Sequence, residues 1–138
     1  MSESAERGTQ PAKDPLVAVV DDDPSVLRSL GSLLLSSGFR VETFESAESF
    51  LASAARAVTS CLVLDLSMPG MTGAELVSHL NTTGQALPFV VLTAIADSQE
   101  TERMTQSGAF AVLRKPASGQ QLLRAIRSAL SGASDRER

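Results

Sequence analysis

Five short apolar runs alternate along the chain with segments whose apolar residues recur at helical spacing. Four of the runs are nearly continuous in Val, Leu and other apolar residues, which is typical of strands buried on both faces of a parallel sheet. The second run alternates between polar and apolar residues, which predicts an edge strand. The runs are Leu16–Val20, Arg40–Phe44, Cys61–Leu66, Phe89–Leu92 and Phe110–Leu113.

A helix is predicted after each run, because glycines and capping residues punctuate the helical spacing. In chain order, the first helix ends at Gly38, the second is capped by Ser46, the third begins at about Gly73, the fourth lies between Asp97 and Gly108, and the fifth stops at Gly132.

This strict alternation of strands and helices predicts an α/β protein with helices on both faces of a parallel sheet. We expect a doubly wound, five-stranded sheet in the order 2-1-3-4-5, which is the flavodoxin-like fold. In such sheets ligands bind at the carboxyl ends of the strands, at the switch point between strands 1 and 3.

The length of 138 residues fits one domain. We expect residues 1–14 to be a disordered lead, 15–132 the domain, and 133–138 a tail or a truncated linker. The net charge of −4 disfavours direct nucleic-acid binding, and no apolar run is long enough for a membrane helix. The single cysteine, Cys61, is consistent with a reducing, cytoplasmic location.

Residues with chemistry stand at the ends of four predicted strands. Asp21 and Asp22 follow strand 1, Asp65 lies near the end of strand 3, Thr93 ends strand 4, and Lys115 follows strand 5. Parallel strands bring these residues to one rim, where three carboxylates would repel one another unless a hard cation such as Mg²⁺ offset them. With the lysine and the hydroxyl they could cradle a phosphoryl group, which a carboxylate can accept as a nucleophile.

Structural roles compete with this chemistry. Asp23, which precedes Pro24, is expected to cap the first helix, but three consecutive acids exceed what capping needs. Asp65 is harder to explain structurally, because a charge without a partner is expensive inside the apolar run Val63–Leu66. Threonines in strands and solvated lysines are common. Thr93 and Lys115 therefore indicate a functional site only in combination with the acids at the same rim.

Taken together, these motifs resemble the receiver domains of two-component response regulators, of the type that often precedes helix-turn-helix output domains. The resemblance covers roughly residues 15–132. It rests on four motifs in this order: Val-Val-Asp21-Asp22-Asp23-Pro24, Leu-Asp65-Leu-Ser-Met-Pro-Gly-Met-Thr-Gly73, Val-Leu-Thr93-Ala94 and Lys115-Pro116.

The resemblance implies a phosphoprotein of a phosphorelay, with Asp65 as the phosphoacceptor and Mg²⁺ or Mn²⁺ as the cofactor. It also implies further roles for the motif residues: Asp22, Asp65 and the backbone carbonyl of Ser67 as metal ligands, Asp21 as a ligand through water, Thr93, Ala94 and Lys115 as phosphoryl-binding and switch residues, and Pro116 after a cis peptide bond.

The implied donor is a histidine kinase or a histidine phosphotransfer protein. The chain would catalyse its own phosphorylation and dephosphorylation and would not be a conventional enzyme. Phosphorylation would switch the face around strands 4 and 5, and the face of helix 4, strand 5 and helix 5 is the candidate surface for a homodimer.

Three positions depart from the family pattern. Val112 stands where an aromatic residue is common, and Ala117 stands where Phe is frequent. The fourth helix is unusually polar, with Met104 as its strongly apolar residue, and we expect it to be labile until phosphorylation orders it.

Two other functions stay open at this point. A phosphatase of the haloacid-dehalogenase type would use Asp21 as its nucleophile with Thr93 and Lys115, but it gives Asp65 no clear role. An interaction domain that is never phosphorylated is the other, and the intact set of acids, threonine and lysine argues against it.

Overall fold

A computed structural model of the chain describes residues 14–85, 87–94 and 98–136. Its five strands are β1 (Leu16–Val20), β2 (Arg40–Phe44), β3 (Cys61–Asp65), β4 (Phe89–Thr93) and β5 (Ala111–Arg114). All pair in parallel in one sheet with the order β2-β1-β3-β4-β5, so the predicted 2-1-3-4-5 topology is confirmed.

The helices alternate with the strands as the pattern predicted. They are α1 (Pro24–Ser36), α2 (Ala47–Ala52), α3 (Gly73–Thr82), α4 (Ser98–Gln106) and α5 (Gly119–Arg136), with a short 3-10 helix at Ala54–Val58 after α2. Within the described ranges, no helix combines the length and apolar character needed to cross a membrane.

Capping explains where several helices begin. The side chains of Asp23 and Ser46 accept the backbone N–H groups of Ser25 and Ser49, so both predicted N-caps are confirmed. Gly38 follows α1 with a φ of 95°, a left-handed conformation that ends a helix at little cost for glycine.

Strand side chains alternate between two apolar layers. On one face, Ala18 and Val20 pack with Phe50 of α2, Leu76 of α3 and Met104 of α4. These central residues are almost fully buried, and each large side chain stabilises the fold by about 1.5–3 kcal/mol.

The opposite face of the sheet packs against α1 and α5. Val17 and Val19 contact a layer that includes Leu34 of α1 and Ile126 of α5. The central strands β1, β3 and β4 are buried throughout, whereas β2 at the edge is only partly buried, as its alternating sequence predicted.

The last helix does not stop at Gly132, so this predicted boundary is wrong. It continues to Arg136, and a Cβ at position 132 would lie 2.6 Å from Cε1 of Phe110. Glycine stands here because an aromatic ring packs against the helix, not because the chain turns. The division into lead, domain and tail stays a prediction, and residues 1–13, 137 and 138 lie outside the described part.

Candidate functional site

Three consecutive acids leave β1 and have three different environments. The Asp21 side chain is buried, and its Oδ1 accepts the backbone N–H of Asp23 at 3.0 Å. Asp22 is exposed at the rim. Asp23 caps α1, and hydrogen bonds from the hydroxyl and backbone N–H of Ser25 lower the pKa of its carboxyl. The third acid is thus structural, and the first two face the site.

The parallel register brings Asp65 to the same level of the sheet as these acids. Val20 lies opposite Leu64, so the next residues, Asp21 and Asp65, stand side by side. The carboxylates of Asp21, Asp22 and Asp65 each offer an oxygen within 4.8 Å of the others. The acids predicted to meet at this rim therefore form one cluster.

Lys115 supplies the positive charge of the cluster. Its Nζ lies 2.9 Å from Oδ2 of Asp21 and 3.6 Å from Oδ1 of Asp65. The lysine thus bridges two acids that lie far before it in the chain, and its shorter contact is with the more distant one, Asp21, 94 positions away.

The positive charge of Lys115 offsets only part of the negative charge of the three carboxylates. Burial raises the pKa of the Asp65 carboxyl, and the charges of Asp21 and Asp22 push it in the same direction, against Lys115 and the backbone N–H of Ser67. For Lys115, burial lowers the pKa, but the hydrogen bond to Asp21 and the charge of Asp65 outweigh it, so the pKa is raised.

The ends of β4 and β5 complete the rim. Thr93 is buried at the last position of β4, opposite Arg114, and its carbonyl accepts the backbone N–H of Lys115 at 2.7 Å. Ala94 is exposed directly after it. The Lys115–Pro116 peptide bond is cis, as predicted.

The loop of residues 66–72 links Asp65 to α3. Ser67 is exposed, and its backbone N–H lowers the pKa of the nearby Asp65 carboxyl, against the larger effect of burial. The backbone N–H of Gly73 donates to the Leu66 carbonyl at 3.1 Å, and a Cβ at Gly73 would lie only 2.4 Å from the Asp65 carbonyl oxygen. Gly73 therefore allows α3 to begin directly against the backbone of Asp65.

Glu48 also belongs to this region, although no motif in the sequence pointed to it. From the first turn of α2, its Oε2 accepts the backbone N–H of Met71 at 3.0 Å. The two residues lie 23 positions apart, and no local pattern signals such a contact.

An apolar cavity of about 590 Å³ lies beside the site, between α1 and the start of α5. Its walls include Leu30, Leu33, Lys115 and Ala117. Ala117, which stands where Phe is frequent in the family, is one of the residues that line this space, and its small side chain leaves it partly unfilled. Val112 is half-buried on β5 and packs against the core.

The cluster fits a hard divalent cation. Its donors are carboxylate oxygens, which Mg²⁺ and Mn²⁺ prefer, and the exposed Asp22 keeps one side open to solvent. Three carboxylates face one ammonium group, so a dication would offset charge that Lys115 leaves uncompensated. The residues present therefore match the predicted cofactor in chemistry and in charge.

Comparison with known proteins assigns this chain to a family. Residues 17–127 match the family model of the response regulator receiver domain. The transcriptional regulatory protein TdiR of Thauera aromatica is 38% identical over 125 residues, which cover 91% of this chain and 55% of that protein. The chain belongs to the response-regulator receiver family.

Solved structures support the same assignment. The response regulator StyR superposes with a TM-score of 0.82 and 44% identity, covering 90% of this chain and 63% of that one. FixJ-N superposes with a TM-score of 0.79 and 35% identity, covering 86% of this chain and 94% of that one. This chain spans about half the length of the curated relatives it matches.

The domain is thus a receiver of a two-component response regulator, and response regulators partner with histidine kinases. The phosphatase alternative with Asp21 as nucleophile finds no support in these comparisons. In the structure, Asp21 is occupied by hydrogen bonds from Lys115 and from the backbone of Asp23.

Proposed function

We propose that Asp65 accepts a phosphoryl group from a phosphohistidine on a histidine kinase or a histidine phosphotransfer protein. The observation that carries the proposal is the environment of this carboxylate. It is buried at the end of β3, within reach of Lys115 and beside two further acids. Burying charges this close together costs stability, and charge clusters that carry such a cost concentrate at binding and catalytic sites.

In the proposed step, a carboxylate oxygen of Asp65 forms a bond to phosphorus while the bond from phosphorus to the donor imidazole nitrogen breaks. The electron pair of that bond stays on the imidazole. Lys115 already contacts Asp65 and would pair with the incoming phosphoryl oxygens, and the Thr93 hydroxyl would donate to them. Ala94, next to Thr93, would offer its backbone N–H.

We assign the cofactor as Mg²⁺ or Mn²⁺, held by Asp22, Asp65 and the Ser67 carbonyl, with Asp21 acting through water. When bound, the ion would neutralise charge that develops on the phosphoryl oxygens. Asp65 must be ionised to act as a nucleophile, but burial raises the pKa of its carboxyl. A cation bound at the cluster would oppose that shift and favour the ionised, reactive form. The chain would hydrolyse its own acyl phosphate with water and is in this sense not a conventional enzyme.

The experiment combines a small-molecule donor with intact mass spectrometry. The wild-type chain is incubated with acetyl phosphate or with monophosphoimidazole, with Mg²⁺ or with EDTA. We expect a mass increase of one phosphoryl group that requires the metal and disappears in Asp65→Asn. Monophosphoimidazole carries the nitrogen–phosphorus bond of the proposed donor, so it should serve at least as well as acetyl phosphate.

Asp23→Asn is the matched control for a lost carboxylate at the rim. Asn caps a helix as well as Asp does, so this variant should fold and still be labelled. A phosphoryl group that persists in Asp65→Asn and disappears in Asp21→Asn would overturn the assignment and revive the phosphatase mechanism.

We also propose that the face of α4, β5 and α5 carries the response, including self-association. β5 is an edge strand, and a groove beside it is lined by Phe110, Leu113, Arg124 and Ala125. Light scattering after column chromatography should show a larger mass after phosphorylation, and Arg124→Glu should reduce that change. An unchanged mass in both states would exclude a phosphorylation-dependent dimer.

A further inference from the structure

The loop of residues 66–72 is tied to a neighbouring helix as well as to its own flanks. Glu48, in the first turn of α2, accepts the backbone N–H of Met71 through Oε2 at 3.0 Å. Helix α2 offers a firm base, because Ser46 caps it and the Phe50 side chain is fully buried under it. The carboxylate of Glu48 thus links a fixed element to the part of the loop that follows the exposed residues Pro69 and Gly70.

Gly70 gives a second observation at the same place. It has a φ of +75°, and a Cβ there would lie 2.8 Å from Oε2 of Glu48. The carboxylate therefore lies directly over the backbone of Gly70 and Met71, and a side chain at position 70 would displace it. Both the conformation and the space require glycine at this point of the loop.

A simpler role for Glu48 is to favour the positive end of the α2 helix dipole. Acids in a first turn do this through their charge alone, and they need no specific partner. The contact with Met71 goes beyond that role, because it directs the carboxylate away from its own helix and onto a backbone N–H 23 residues later.

The other anchors of the loop lie next to the phosphoryl site. The backbone N–H of Ser67 is close enough to the Asp65 carboxylate to lower its pKa. The backbone N–H of Gly73 donates a hydrogen bond to the Leu66 carbonyl. Thr72 and Glu75 form a capping box that fixes the start of α3. Between these two ends, the Met68 side chain is buried in the core, and Glu48 adds a hydrogen bond at Met71.

We propose that Glu48 is a positioning residue of the phosphoryl site. Its hydrogen bond to Met71 holds the loop in the conformation in which Ser67 stands beside Asp65, and thereby keeps the metal-binding backbone in place. This inference rests on the proposed function of Asp65 and extends it to a residue outside the acid cluster. Loss of the bond lowers the fraction of molecules with a competent loop, and the apparent affinity for Mg²⁺ falls by the same factor.

The size of the effect follows from the strength of one hydrogen bond. A single bond of this kind shifts an equilibrium by about two- to tenfold, and the exposure of Glu48 to solvent keeps it within that range. We therefore expect the dissociation constant for Mg²⁺ to rise about two- to tenfold in Glu48→Ala.

Three variants separate the hydrogen bond from the charge. Glu48→Ala removes both, whereas Glu48→Gln removes the charge and keeps an oxygen that accepts the Met71 N–H. Glu45→Ala removes an exposed acid just before the cap of the same helix and serves as the matched control. Mg²⁺ binding is measured by titration of backbone amide NMR signals, and hydrogen exchange is measured at the Met71 amide.

We expect Glu48→Ala to bind Mg²⁺ more weakly and to exchange the Met71 amide faster, while Glu48→Gln and Glu45→Ala stay within twofold of wild type. Equal losses in Glu48→Gln and Glu48→Ala would show a charge effect and overturn the inference. So would an unprotected Met71 amide in the wild-type chain, or wild-type Mg²⁺ affinity in Glu48→Ala.

A parallel labelling reaction with acetyl phosphate keeps this inference separate from the proposed function. One outcome is that wild type takes up no phosphoryl group while Glu48→Ala still shows faster exchange of the Met71 amide and weaker Mg²⁺ binding. In that case the positioning role of Glu48 stands and the phosphoacceptor role of Asp65 fails. If Asp65 is labelled equally fast in all variants and their Mg²⁺ affinities are equal, the positioning role fails and the phosphoacceptor role stands.

Discussion

Replacing Gly73 with alanine tests how closely α3 packs against the phosphoacceptor. Helix propensity alone predicts that Gly73→Ala is stabilising, because alanine is favoured over glycine in a helix by up to ~1 kcal/mol. Gly73 is the first residue of α3, and its lack of a side chain brings the helix against the carbonyl of Asp65. The tertiary contact predicts the opposite sign.

The magnitude follows from the distances around the missing side chain. A Cβ at position 73 would lie 2.4 Å from the Asp65 oxygen and 2.6 Å from Cδ1 of Leu64, where ordinary contacts begin at 3.4 Å. The backbone must therefore move by about 1 Å, and overpacking of this kind costs about 1–3 kcal/mol. We expect a net loss of up to about 2 kcal/mol in the free energy of unfolding, once the full helix-propensity gain is deducted.

The displacement also reaches the reacting group. A shift of about 1 Å in a catalytic carboxylate can reduce a rate by about 10²-fold. We therefore expect slow phosphorylation by acetyl phosphate in Gly73→Ala, under conditions in which the variant is still folded. The rate is followed by intact mass.

Stability is measured by urea unfolding followed by far-UV circular dichroism, since the chain has no Trp and no Tyr. Gly31→Ala in α1 is the matched control, because a Cβ there would meet Cγ2 of Thr43 at an ordinary 3.7 Å. This control should gain about 0.5–1 kcal/mol. A Gly73→Ala variant that gains stability like the control would refute the reasoning.

Three further predictions follow from the same structure. Because the folded state raises the pKa of Asp65, ionising this group costs stability as pH rises from its ordinary value of 3.8 through the raised one. Asp65→Asn should therefore unfold at higher urea than wild type at neutral pH in EDTA, and a difference that persists unchanged below pH 3.8 would contradict this. Burial raises the pKa of the Cys61 thiol to about 12, so a disulfide reagent at neutral pH should label it only after unfolding. Labelling of the native chain at the unfolded rate would disprove that burial. Ala117→Leu should fill part of the cavity between α1 and α5 and add about 0.5–2 kcal/mol to the free energy of unfolding, whereas an unchanged urea midpoint would mean that the side chain points to solvent.

The structure agrees with the sequence on the polar character of the fourth helix. α4 is formed over Ser98–Gln106, and Met104 is its buried apolar residue, as the sequence indicated. Its expected lability before phosphorylation stays a prediction, and hydrogen exchange with and without a phosphate mimic is the measurement that decides it.

The order of the elements and the rim of the sheet could be predicted from the sequence, because local periodicity carries this information. Continuous apolar runs mark strands buried on both faces, and the residues after them must meet at one edge. Asp65 could be selected in the same way, since a carboxylate in an apolar run signals a special site.

Only the tertiary structure decided which side chains meet across the rim. Lys115 lies closer to Asp21 than to Asp65, and Glu48 accepts a hydrogen bond from the loop after Asp65. Gly132 lies within the last helix and leaves room for the Phe110 ring to pack against that helix. These contacts join residues far apart in the chain, and they depend on how each crossover packs its helix against the sheet. Local sequence patterns extend over one element at a time, so they determine the order and type of the elements, but neither the end of the last helix nor the distances between elements.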